Sequence, residues 1–217
     1  MIIGLEGIDG SGKTHLSRYL VAELKLRGID VLLMPSKSLS MGRNDETNDL
    51  LSNKMLDFSI PEIKDLMHLS IEISASHQAK KWQEENPNGV VIFDRTWLTV
   101  LTYLAFNPYQ YLKRGHLLGV LKPLMTSIVQ PDFTYLLMED FNQERVKDRE
   151  ELMHYYDGFP DAKIAKKYKE FVNWMIFSID AKFKFIKSKG FENLDSRNLH
   201  ILEDVLNEIN LRGEIVK

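Results

Sequence analysis

The chain has 217 residues, of which 44% are hydrophobic and 27% charged, with a formal net charge of -3. That size and balance suit one globular domain and argue against a general nucleic-acid or membrane-surface binder. The absence of cysteine rules out disulfides, a cysteine-based zinc site and a thiol nucleophile. No run nears the roughly 18 apolar residues of a membrane span. The first residues already read as a strand, so a cytoplasmic chain with no leader is the expectation.

Strand one is expected at about 1–6. It runs into Gly7-Ile8-Asp9-Gly10-Ser11-Gly12-Lys13-Thr14, which reads G-x-x-x-x-G-K-T. Leu16, Leu20 and Leu24 follow at helical spacing and predict a helix over about 13–27, ending at Gly28. Strand, glycine turn and helix in that order are the context of a P-loop. Glycines let backbone N–H groups close round a phosphate, and the helix N-terminus adds positive potential there. Lys13 can reach the β- and γ-phosphates of ATP, and the Thr14 hydroxyl can ligate Mg²⁺.

Val31–Met34 is the second strand, stopped by Pro35. The polar stretch 36–48 reads as a loop, 46–57 as a short helix, and Pro61 opens a long helix to about 86. After the turn Asn86-Pro87-Asn88-Gly89 comes the third strand, Val90–Phe93, ending in Asp94-Arg95. Helices are expected at about 97–106 and 109–129, then a strand over Phe133–Met138 and a helix from about 141. The span 161–188 carries Ile164, Tyr168, Phe171, Met175, Ile179, Phe183 and Ile186 at helical spacing and reads as one amphipathic helix. Phe191–Leu194 is the expected fifth strand and 198–211 the last helix. Short apolar strands alternating with helices predict an α/β fold with a parallel sheet covered on both faces.

Asp94 ends an apolar strand, where an acid can orient Mg²⁺ or its waters, or simply cap the next helix. Arg95 can grip a phosphate bidentately or pair with a neighbouring acid. Arg145 and Arg149 share one helix face, which is also compatible with a solvated charged surface.

The loop Glu6–Thr14, the strand end Val91–Arg95 and Glu144–Arg149 after Pro131-Asp132 resemble the thymidylate kinase family over nearly the whole chain. The resemblance implies a single three-layer P-loop NTPase domain over 1–217, with a five-stranded parallel sheet, helices on both faces and a small lid near 148–160. It implies ATP and Mg²⁺ as cofactors, a nucleotide acceptor and a homodimer, while the charge and hydropathy lead to the expectation of no membrane and no nucleic-acid partner. It places Asp9 at the acceptor sugar, Arg95 on the acceptor phosphate, Arg145 against adenine and Arg149 at the start of the lid. Gly10 stands where some members carry a loop arginine, and Glu150–Pro160 contains none.

The acceptor pocket departs from that family. Its phenylalanine and arginine on the long helix fall on Ser70 and Ser74, which form one polar stripe with His77. Met34-Pro35 replaces Glu-Pro, and Leu104 replaces a glutamine after Tyr103. Pro35, Ser70, Ser74, Arg95, Trp97 and Tyr103 are the candidate acceptor contacts, in a pocket altered from the thymidylate pattern. A small-residue stripe also serves close helix packing, and an aromatic on a helix also serves a core.

The expected activity is transfer of the γ-phosphoryl of ATP to a (deoxy)nucleoside monophosphate. One rival is a deoxynucleoside kinase, which needs a general base among Glu6, Asp9, Asp94 and Glu72. Glu72 ranks last because it lies off the serine stripe. The other rival is a nucleotide-binding switch with no acceptor.

Overall fold

The computed structural model describes residues 1–7, 11–34, 61–99, 127–138, 181–187 and 190–215, with backbone only for 61–69, 214 and 215. Among these residues the strands are β1 (Ile2–Gly7), β2 (Val31–Met34), β3 (Val90–Asp94), β4 (Phe133–Met138) and β5 (Phe183–Lys187). The helices are α1 (Lys13–Leu26), α2 (Pro61–Glu85) and α3 (Leu194–Ile215). The five strands form one parallel sheet in the order β2-β3-β1-β4-β5.

β1 lies at the centre and every one of its residues is buried. That explains the apolar run Ile2–Leu5, since a parallel strand covered on both faces has no solvent side, and the buried Glu6 needs partners of its own. On one face Leu16, Leu20 and Leu24 of α1 and Ile201, Leu202 and Val205 of α3 pack on Ile3, Leu5, Ile92 and Leu137. On the other, Ala75 and Ala79 of α2 meet Ile2, Val91 and Phe93. α1 stops at Gly28, whose φ of 74° suits the left-handed residue after a helix. The amide of Ile29 closes that end on the Leu24 carbonyl at 3.1 Å.

Two expectations at the C-terminal end are corrected. The amphipathic helix over 161–188 does not reach 188, because Phe183–Lys187 is β5, paired in parallel with β4 from Thr134↔Phe183 to Met138↔Lys187. Phe183 and Ile186 fit a helical stripe by spacing, but a run this short carries either period, and the free edge of β4 decides it. The fifth strand expected at Phe191–Leu194 is instead the entry to α3. Asn193 Oδ1 accepts the Ser196 amide at 2.8 Å, and the Asn193 amide reaches Ser196 Oγ at 3.3 Å. This reciprocal cap starts the helix at Leu194 rather than 198. The end of the helix expected to 129 is a turn at Ser127 among the described residues. The loop 36–48, the helix 46–57, the lid near 148–160 and most of the helices between β3 and β5 lie outside the described residues.

A buried carboxylate ties the two strands that carry the candidate site. Glu6 Oε1 accepts the Thr96 amide at 2.6 Å, the Thr96 hydroxyl at 2.7 Å and the Thr99 amide at 3.2 Å. Its Oε2 accepts the Thr99 hydroxyl at 2.8 Å. Glu6 thus caps the helical turn that opens at Trp97, and the end of β1 holds the chain leaving β3. At the sheet's other side Asp204 of α3 accepts Tyr135 Oη at 2.6 Å and Lys184 Nζ at 2.8 Å, and Lys184 also reaches Glu208 at 2.7 Å. Burial, then the bond to Asp204, raises the Tyr135 phenol far above its ordinary range, so it remains a donor. Burial opposes the Asp204 charge, but the hydrogen bonds from Lys184 and Tyr135 outweigh it and hold the carboxyl below its usual value.

Two stability predictions follow from these groups. Glu6→Ala leaves buried amides of Thr96 and Thr99 without an acceptor and should cost about 3–5 kcal/mol in urea unfolding. Glu6→Gln keeps the oxygen that takes three of the bonds, and the Thr99 hydroxyl can turn to accept, so about 1–2 kcal/mol is expected. Asp204 has a depressed folded pKa, so its contribution is present at neutral pH and is lost as pH falls through that pKa. The stability gap between wild type and Asp204→Asn should therefore shrink on acidification below the ordinary carboxylate range. Urea midpoints across that range would expose a pH-independent gap, which contradicts the assignment.

Candidate active site

The site sits where β1 and β3 end side by side, with Leu5 paired to Asp94. Ligands of open α/β sheets bind at this carboxyl edge. Gly7 closes β1 at a φ of 149°, and a Cβ there would lie 2.7 Å from the Leu137 carbonyl oxygen. Gly12 precedes α1 at a φ of 85°. Both glycines are therefore required by backbone conformation and by close approach. Ser11 is buried. Lys13 is only 4% exposed and folds back over the loop, its Nζ donating to the Gly7 carbonyl at 2.9 Å and to Ser11 Oγ at 3.3 Å. A cation held inside a glycine loop at a helix N-terminus is built to receive phosphate oxygens.

Asp94 approaches the same helix. Its Oδ2 lies 3.5 Å from Ser17 Oγ, which in turn is 3.1 Å from the Thr14 carbonyl oxygen. Asp94 is 6% exposed, and its Oδ1 is buried with no hydrogen-bond partner among the described residues. An orphaned carboxylate oxygen is costly unless something occupies it. Together with the exposed Thr14, that donor set fits a hard divalent cation such as Mg²⁺. Arg95 follows at a φ of 77°, a conformation rare for a side chain with a Cβ. Its amide is anchored on the Leu5 carbonyl at 3.1 Å. Strain of about 1–3 kcal/mol held at a strand end is characteristic of functional positions.

On α2 the inward face is not the expected one. Ser70 and His77 are exposed and Ser74 is half-buried, its Oγ 3.5 Å from Gln78 Nε2. The face turned toward the sheet carries Ile71, Glu72, Ala75, Ser76 and Ala79. The inward stripe expected of Ser70, Ser74 and His77 is thus displaced by two residues, to the pair Glu72 and Ser76 at the same spacing. The reason is the sheet contact: Ala75 and Ala79 must lie on Val91 and Phe93, which fixes the helix's rotation. Ser76 Oγ donates to the Ile73 carbonyl at 2.7 Å and accepts the Val129 amide at 3.1 Å, so its hydroxyl serves packing. Glu72 and Trp97 line a cleft with Thr96 at the end of β3. Trp97 is buried, and its indole Nε1 has no hydrogen-bond partner among the described residues. Glu72, ranked last as a base from the sequence, is a buried acid lining this cleft, and Glu6 accepts hydrogen bonds from Thr96 and Thr99.

Of the other expected site residues, Ile8, Asp9, Gly10, Pro35, Tyr103, Arg145 and Arg149 lie outside the described residues. One contributor went unseen in the sequence. Arg197, fully buried in the first turn of α3, donates from Nη1 to the Ser11 carbonyl at 2.9 Å. With the last helix expected only from 198, Arg197 carried no signal in the sequence, and its contact with Ser11 spans 186 residues.

Comparison with known proteins agrees with this geometry. The family model described as thymidylate kinase matches residues 5–190. A probable thymidylate kinase of Methanopyrus kandleri is 21% identical over 204 residues, spanning 94% of this chain and 90% of the relative. The thymidylate kinase of Ehrlichia chaffeensis superposes with a TM-score of 0.64 at 18% identity, over 96% of this chain and 98% of its own. That of Candida albicans also gives 0.64, at 20% identity over 96% and 92%. A deoxyadenosine kinase from M. mycoides, solved with dCMP and dCDP, gives 0.61 at 17% identity over 97% and 99%. The structural likenesses establish the shared fold, and the family match over most of the length establishes descent: the chain belongs to the thymidylate kinase family, the nucleoside monophosphate kinases of the P-loop fold.

Proposed function

We propose that this kinase transfers the γ-phosphoryl group of ATP to a (deoxy)nucleoside monophosphate whose base differs from thymine in how it is held. The observation that carries the reading is the convergence of Lys13, Asp94 and Arg95 at the adjoining ends of β1 and β3. Lys13 and the N–H groups of the first turn of α1 hold the donor phosphates. Asp94 and Thr14 hold Mg²⁺, which when bound neutralises charge on the transferring group. Arg95 grips the acceptor phosphate and aligns it with the donor, the positioning on which phosphoryl transfer chiefly depends. Asp9, Arg145 and Arg149 take the acceptor-sugar, adenine and lid roles that the family resemblance implies. Pro35, Ser70, Ser74, Trp97 and Tyr103 remain proposed acceptor contacts, and the buried position of Glu72 adds it to them. A homodimer in the cytoplasm completes the reading.

A nucleoside acceptor is the second reading, favoured by one observation. Glu72 places a buried acid in a cleft beside β3, where a hydroxyl acceptor would need a base. The similarity in fold to the M. mycoides deoxyadenosine kinase leaves the two acceptor types open.

Mutant kinetics separate these readings. Lys13→Ala should lower kcat/KM for ATP by at least about 100-fold with any acceptor. Arg95→Ala should cost about 100-fold with a monophosphate and far less with a nucleoside. Equal losses with both acceptors would remove Arg95 from the acceptor phosphate. A panel of ribo- and deoxynucleosides and their monophosphates, run on wild type and Glu72→Gln, tests the pocket. If Glu72 contacts the base, the substitution should change the ranking of bases by about tenfold. If Glu72 is a base for a hydroxyl acceptor, Glu72→Gln should abolish nucleoside turnover whatever the base.

A further inference from the structure

We propose that Arg197 and Asn198, at the start of α3, are positioning residues that clamp the donor-binding loop from behind. The inference rests on the reading of that loop as the donor site. Both residues are fully buried, and both lie beyond residue 190, where the match to the family model ends.

Arg197 acts on the loop's backbone. Its Nη1 holds the Ser11 carbonyl oxygen at 2.9 Å. In a trans peptide the carbonyl and the following N–H point opposite ways. Fixing the Ser11 carbonyl toward Arg197 therefore turns the Gly12 N–H away from it. Rotation of that peptide would exchange a phosphate-binding donor for a repelling oxygen. A Cβ at Gly12 would sit 2.8 Å from Arg197 Nη2, so the last glycine of the motif also makes room for this arginine.

Asn198 acts on the first turn of α1. Arg197 Nη2 lies 3.3 Å from Asn198 Oδ1, and Asn198 Nδ2 lies 3.0 Å from His15 Nδ1. Arginine has only donors, so the amide must present its oxygen to Arg197. The amide nitrogen then faces His15, and it too only donates. His15 Nδ1 then accepts, which selects the ring tautomer that carries its proton on Nε2. The arginine thus sets, through one amide, the tautomer of an exposed histidine directly after Thr14. The clamp presents the loop with one carbonyl fixed and one imidazole N–H defined before any nucleotide arrives.

The test uses the full chain with Asn198→Ala, Arg197→Met and Arg197→Lys. ATP affinity is read by calorimetry, loop order by amide hydrogen exchange without nucleotide, and the His15 tautomer by its imidazole nitrogen shifts. ATP should bind about tenfold more weakly to Asn198→Ala and Arg197→Met, with the acceptor KM held within about twofold. The Gly12 amide should exchange faster in both, and His15 should become a mixture of tautomers in Asn198→Ala. Arg197→Lys, which retains charge and a donor, should recover part of the ATP affinity. Unchanged ATP affinity and loop exchange, with only a lower unfolding midpoint, would overturn the proposal. So would a single Nε2–H tautomer persisting in Asn198→Ala. Should Arg197→Met fail to fold, Asn198→Ala decides the matter, since it leaves the buried arginine in place. A wild-type chain that binds no ATP sinks the donor-site reading alone, because loop exchange and the His15 tautomer still decide the clamp.

Discussion

The site depends on where the Glu6 carboxylate goes. A charge this deeply buried is tolerated only when its oxygens are fully engaged, and Thr96 and Thr99 engage them. Those bonds hold the end of β1, which leads into the glycine motif, against the start of the helical turn after β3. Arg95 sits between the two anchors, its amide on Leu5 and its neighbour Thr96 on Glu6. Its left-handed backbone is maintained from both sides, as strained functional residues must be. The placement of Arg95 relative to the end of β1 is thus set by a capping interaction rather than by the candidate site's own groups.

The sheet supplies the second constraint. In the order β2-β3-β1-β4-β5 the glycine motif follows the central strand, whose neighbours are β3 and β4. β3 contributes Asp94 and Arg95, and β4 contributes the Leu137 carbonyl that crowds Gly7. The loop is therefore shaped from several directions, including Arg197 from the far end of the chain. Such preorganisation suits phosphoryl transfer, in which the protein orients groups and offsets charge and does little covalent work.

The cleft at the end of β3 has a different character. The helix that faces it is rotated by its own packing, because Ala75 and Ala79 seek Val91 and Phe93. That rotation turns a carboxylate, not a serine stripe, toward the end of β3. Glu72 beside Trp97 makes the cleft acidic and aromatic, which is an unusual surface for a base whose edge carries two carbonyls. The family match and the departures in the proposed acceptor pocket are therefore compatible, since the glycine motif and the face of α2 are shaped by separate contacts.

The sequence by itself determined what is local. Gly7–Thr14 announced the loop, because its glycines, lysine and threonine are demanded by the phosphate they would bind. Leu16, Leu20 and Leu24 marked the buried stripe of α1, and Val31–Met34, Val90–Asp94 and Phe133–Met138 were readable as parallel strands, since each is short, apolar and closed by a breaker or a charge. Asp94-Arg95 stood out as charge at the end of a buried strand. Only the tertiary structure decided the rest. Phe183–Lys187 became a strand because β4 had an edge to pair, which no periodicity within the segment records. The direction faced by Ser70, Ser74 and Glu72 followed from packing against strands that lie before and after α2 in the chain. Arg197 meets Ser11 across 186 residues, and Glu6 meets Thr96 across 90. Contacts at such separations arise from the order of strands in the sheet, and that order depends on the balance of burial over the whole chain.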